Sequence, residues 1–145
     1  MNPGDERKLA ADLFNRAWEL MEKPGRTRDE DDEMLHTAHA SRYHWGVVGL
    51  AEHRARGEWQ ISRVCTVLGR GEPAIAHAQR CLELCRQHEI ADWDLAYAYE
   101  ALARAHKAAG YAEEAGKFKK LARDAGDRIT EAEDREHFEE DYATL

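Results

Sequence analysis

Cysteine and proline are scarce, three of each in 145 residues, and glycine occurs ten times, so collagen-like, proline-rich and disulfide-framework proteins are excluded. Cys65, Cys81 and Cys85 are odd in number and fit neither a bridged scaffold nor a paired zinc knuckle; reduced, buried thiols are expected. Long apolar runs are also lacking. The longest, around Trp45 to Ala51, falls far short of the ~18 residues a membrane span requires, and Met1 to Lys8 has no apolar core of the signal-peptide kind. A cytoplasmic location without membrane contact is therefore expected.

An excess of cations is missing too, the one basic face being that of Lys117, Lys119, Lys120 and Arg123. The net charge is −8, from 21 Lys and Arg against 29 Asp and Glu, and the excess lies at the end: residues 127–145 hold two basic and eight acidic side chains. Such a distribution offers no footprint for a phosphate backbone, so nucleic acid is not an expected partner. A length near 150 with 43% hydrophobic residues suits one domain, 1–145, with a proper core.

Helical periodicity runs almost from end to end, and no β-branched run bounded by turns competes with it. An all-α chain is predicted. A first helix, about 5–21, carries Leu9, Leu13, Ala17 and Leu20 on one face and stops at Lys23-Pro24-Gly25. The second begins at Thr27, where Thr27 and Glu30 have capping-box spacing, and is expected to continue to about Arg54 and stop at Arg56-Gly57. Helices at 58–68, 72–87, 93–109 and 111–124 follow, with Asp92 the expected cap of the fifth and glycines at 69, 71, 110 and 126 as terminators. The seventh should open at Thr130 with Glu133 completing a capping box; its apolar seam is only Phe138, Tyr142 and Leu145.

Pairing these helices gives about three antiparallel hairpins: a divergent one at 1–56, two within 57–126, and an acidic capping helix at 127–145. An offset of 39 superposes Gly71 on Gly110, Ala76 on Ala115, Leu82 on Leu121 and Arg80 on Lys119. The series Tyr99, Leu102, Ala103, His106, Gly110, Ala115, Ala122 resembles the tetratricopeptide-repeat family, departing from its pattern at Gln60, Arg63 and Val64. That resemblance implies a short solenoid acting as a non-catalytic protein- or peptide-binding module. The strings His39 to Trp45, Arg56 to Arg63 and Asp92 to Ala103 also resemble small bacterial proteins of undescribed function.

By that resemblance the first helix of each hairpin lines a groove, represented by Glu58, Ile61, Cys65 and Leu68, and by Tyr97, Glu100, Arg104 and Lys107. Cations there suit a carboxylate while Tyr97 packs an apolar residue, and Arg42, Tyr43, Trp45, Trp59 and Arg63 are candidates for the other wall. Alanine at Tyr97 and Arg104 is expected to remove partner capture at a stability cost within about 1 kcal/mol. The acidic last helix needs a surface, in its own chain, in the groove or in a second subunit of a homodimer.

A second constellation is Asp32, His36 and His39 on one helical face, with His44 about 80° around from His36, a partial donor set for a divalent metal. No other cofactor is indicated. Phosphate loops and nucleophile signatures are lacking, so catalysis has little support. A third expectation is an aromatic small-molecule pocket between the first two hairpins.

Overall fold

A computed structural model describes residues 1–145 as seven α-helices without a strand: α1 (Pro3–Glu22), α2 (Arg28–Val48), α3 (Ala51–Val67), α4 (Gly71–Gln87), α5 (Asp92–Ala108), α6 (Ala112–Gly126) and α7 (Ala132–Tyr142). Local chemistry accounts for the first two starts. Asn2 accepts the Asp5 N–H at 2.8 Å, and Pro3 opens α1 where its missing N–H leaves nothing unpaired. The capping box at α2 forms in both directions, Thr27 Oγ1 accepting from the Glu30 N–H at 3.2 Å and Glu30 Oε1 from the Thr27 N–H at 3.0 Å. No helix is long and apolar enough to cross a membrane.

The second helix does not run to Arg54. It stops at Gly49, whose extended backbone (φ −97°, ψ 177°) turns the chain, and α3 begins two residues later with Trp45 and His53 stacked across the break at 4.1 Å. Gly57, expected to terminate a helix, lies inside α3; a Cβ there would come within 2.7 Å of Arg42 Cδ, so this glycine admits the stem of Arg42 rather than ending anything. The junction after the first hairpin is thus at Gly49-Leu50.

Packing is closest within α1–α2, α3–α4 and α5–α6, and each hairpin also packs on the next through α2–α3 and α4–α5. Contacts of α1 with α3, α3 with α5 and α5 with α7 align the odd-numbered helices along one side. This arrangement is consistent with a stack of helical repeats. The second and third hairpins repeat closely: α3 and α5 each have 17 residues, and from Ala51 to Asp92 the interval is 41 positions. At the same interval, Gly69 (φ +75°) corresponds to Gly110 (φ +85°), and the Arg70 N–H bond to Cys65 O (2.8 Å) to that of Tyr111 with His106 O (2.9 Å). The register of 39 is therefore corrected. Gly110 and Gly69 supply the left-handed turn, while Gly71 serves close packing, since a Cβ on it would meet Ala109 Cα at 2.7 Å.

The interior is rich in small residues. Ala17, Ala38, Ala55, Ala78, Ala98 and Ala105 let helices approach, while Leu20, Met34, Ile61, Val64, Leu82 and Leu102 fill the space between them. All three cysteines are free thiols in or beside this core. A smaller cluster joins Tyr97, Ala122, Ala125, Ile129 and Phe138, and it is what α7 docks on.

Two expected caps are used differently. Thr130 does not start α7, which begins at Ala132; its N–H and hydroxyl donate instead to the Asp92 carboxylate, at 3.2 and 2.7 Å. Asp92, which does not cap α5, is its first residue and holds a left-handed φ of +60°, a conformation Asp tolerates better than most residues. This contact ties the α6–α7 connection to the head of α5.

Candidate functional site

Four of the residues expected to form the groove and its wall, Arg63, Tyr97, Glu100 and Arg104, meet at the C-terminal end of α7. Glu100 is fully buried, and its Oε1 accepts from Arg104 Nε at 2.8 Å and from Arg63 Nη1 at 3.1 Å; its Oε2 is buried without a partner. The Tyr97 hydroxyl donates to Asp141 Oδ2 at 2.6 Å, and Arg63 Nη2 lies 3.6 Å from Asp141 Oδ1. Arg104 Nη2 donates to the Asp141 carbonyl (3.1 Å) and to Thr144 Oγ1 (2.7 Å). Burial, reinforced by the Asp141 bond, pushes the Tyr97 phenol well above its ordinary pKa. Phe138 packs its ring edge-on against Tyr97 at 5.3 Å. A carboxylate and an aromatic side chain three residues apart thus fill the row that sequence assigned to a partner, and they come from the same chain.

Lys107 is exposed one turn further along, outside this arrangement. Arg42 is elsewhere: its Nε donates to Glu58 Oε2 at 2.7 Å, and His77 Nδ1 is 2.8 Å from the other oxygen, Glu58 Oε1. Glu58, Ile61 and Cys65 are buried rather than groove-lining, because the side of α3 that faces the odd-numbered helices carries Ala55, Arg56, Trp59 and Arg63. The expectation that Tyr97 and Arg104 are surface residues is also corrected. Tyr97 is only 9% exposed and the Arg104 side chain 16%, so alanine at either removes hydrogen bonds from a largely dry network and costs more than a surface change.

Burial of Glu58 raises its pKa, but the hydrogen bonds from His77 and Arg42 outweigh that and hold it below the ordinary 4.5. A depressed carboxyl contributes stability that is fully present above 4.5 and is lost as pH falls through the lower folded value. We expect the urea midpoint of the native protein to drop on acidification below about pH 4.5 more steeply than that of Glu58→Gln, which lacks this titration. Parallel pH profiles for the two proteins would refute the assignment.

The histidine face of α2 is dispersed by its neighbours. His44 Nδ1 is 2.9 Å from Glu6 Oε2 on α1, whereas the His39 ring lies edge-on to His77 at 5.4 Å, and burial followed by the charge of His77 lowers its pKa. Asp32 and His36 are exposed. Nowhere do three or more His, Cys, Asp or Glu side chains converge in a metal-ligating group.

An aromatic cleft of about 370 Å³ lies between α1, α3 and α5, lined also by His137 and Asp141 of α7 and by Cys81 of α4. Trp18 of α1 stacks on Trp59 of α3 (5.7 Å, 27°), and Tyr97 meets Trp59 and Trp93 edge-on (78° and 83°). Arg56 pairs with Asp94 through two parallel bonds of 3.0 Å and lies over the Trp93 ring at 4.4 Å. Nothing in the local sequence singles out Asp94 or Asp141; only the pairing partner, 38 positions away for Asp94 and 44 for Tyr97 and Asp141, marks them out.

The α5 row of Tyr97, Glu100 and Arg104 is thus covered by the chain's own terminal helix, beside an aromatic cleft. No family model, curated protein or solved structure matches the chain.

Proposed function

We propose that this chain is a non-catalytic peptide- or protein-binding module, a short tetratricopeptide-like solenoid whose groove runs along α1, α3 and α5. One observation carries the reading: Tyr97, Arg63 and Arg104 together hold Asp141 and the end of α7 in the manner of a bound ligand. The charges favour it too. Without α7 the row would present two guanidiniums against the single carboxylate of Glu100, a net positive seat for an acidic peptide. The 41-residue interval between the second and third hairpins supports the solenoid, although it is longer than the usual ~34 of the resembled family.

In this reading the partner is an acidic segment with an aromatic residue three positions before a carboxylate, as in Phe138 to Asp141. The test is fluorescence anisotropy with a labelled peptide of residues 130–145. Against a chain carrying Phe138→Ala and Asp141→Ala, which frees the row, saturable binding is expected at least tenfold tighter than to the native chain. Arg104→Ala in that freed background should weaken it at least another tenfold, about 1.4 kcal/mol. No binding by the freed chain would overturn the proposal.

A further inference from the structure

We infer that the cleft between α1, α3 and α5 is a small-molecule site for an uncharged, planar aromatic compound. Its volume of about 370 Å³ lies in the range of ligand pockets, which run to ~300–1,000 Å³. The lining is unlike a core that has failed to close. Trp18 and Trp59 stack on each other, and Tyr97 meets Trp59 and Trp93 at steep angles, so a flat guest in the cleft borders four rings set at more than one angle. Offset-stacked and edge-on are the two arrangements in which aromatic rings attract. Left empty, such rings lack dispersion partners on their open sides.

The charges in the lining set the class of guest. Arg56 and Asp94 lock together fork to fork, so their charges cancel, and the Arg56 guanidinium already occupies the face of Trp93 that an organic cation would seek. Asp141, the remaining charge in the lining, is held by the Tyr97 hydroxyl and Arg63, so no charge at the cleft is left over to pair with a charged guest. An uncharged ring system needs no such partner. Arg56 uses Nε and Nη2 on Asp94, which leaves N–H groups of the guanidinium free to donate to an acceptor on the guest.

The test uses the full chain, labelled with ¹⁵N and titrated with 2-naphthol while the four indole N–H signals are followed by NMR. Trp18, Trp59 and Trp93 are expected to shift saturably, and Trp45, stacked on His53 outside this cleft, to stay in place. Asn15→Phe, a substitution at an exposed position on the mouth, is expected to weaken binding at least tenfold with the helical circular dichroism and melting temperature retained. Trp93→Ala is expected to weaken binding likewise by removing one wall, at some cost in stability. Benzyltrimethylammonium and 2-naphthoate, the cationic and anionic probes, should bind at least tenfold more weakly than 2-naphthol. The inference is overturned by absence of a saturable shift, by Trp45 shifting in parallel, by unchanged affinity in both variants, or by either charged probe matching 2-naphthol.

Discussion

Replacing Glu100 with alanine is expected to destabilise the protein by about 3–5 kcal/mol, the largest loss of any single charged position in the chain. The carboxylate is fully buried and one of its oxygens receives both Arg63 and Arg104, whose side chains are themselves only 17% and 16% exposed. Taking it away leaves two guanidiniums in a low-dielectric setting with one opposing charge, Asp141, and Arg104 cannot relax freely because the Asp141 carbonyl and Thr144 also hold it. Urea denaturation read by circular dichroism gives the value. Glu100→Gln should lose less, since it keeps an acceptor at Oε1, and the triple replacement Glu100→Leu, Arg63→Met, Arg104→Met should recover part of the loss because no buried charge is then unpaired. A loss below about 1 kcal/mol for the alanine variant would mean that the arginines swing into solvent, and the network would then have little part in holding α7.

The helical class and the hairpin pairing were legible in sequence because both rest on local signals: apolar period, caps and glycine turns. The errors arose where a local signal has two physical uses. Gly57 and Gly71 read as punctuation, yet each admits a neighbour, Arg42 in one case and the backbone of Ala109 in the other. Thr130 and Asp92 both read as caps, one for each of two helices, and in fact satisfy each other across 38 positions. The row Tyr97, Glu100, Arg104 was legible from its i, i+3, i+7 spacing, which fixes a shared face. What occupies that face was not, because the seat for Asp141 is assembled from α3 and α5, and one acidic residue among eight in residues 127–145 carries no local mark of its partner. Similarly the aromatic cleft combines rings from three helices, and composition cannot tell a tryptophan that fills a core from one that borders a space.

Phe138→Ala is expected to release α7 without unfolding the rest. Phe138 is the only buried residue of that helix, fully enclosed by Tyr97 and by α6, where Gly126 leaves the room its ring takes up. Truncating a buried Phe costs about 3–5 kcal/mol when the structure stays in place around the gap. Here the cost has a ceiling. Beyond its contacts with α5 and α6 and the pairing of Asp141 with Arg63 of α3, α7 has no anchoring element, and an acidic helix of 11 residues is marginal by itself, so once its docking free energy is used up it detaches and nothing further is lost. Hydrogen exchange on the variant should therefore show residues 132–145 unprotected while α3, α4 and α5 keep native protection, with the main melting transition displaced by only a few degrees. One cooperative transition lowered by the full 3–5 kcal/mol, with protection lost evenly, would instead place α7 inside the folding unit of the core. Separability is what a displaceable occupant requires: a competing peptide has to overcome the docking of one helix, held by Phe138, Asp141 and the Arg123–Glu139 pair, and leave α1 to α6 folded with Arg63, Tyr97 and Arg104 in position to receive it.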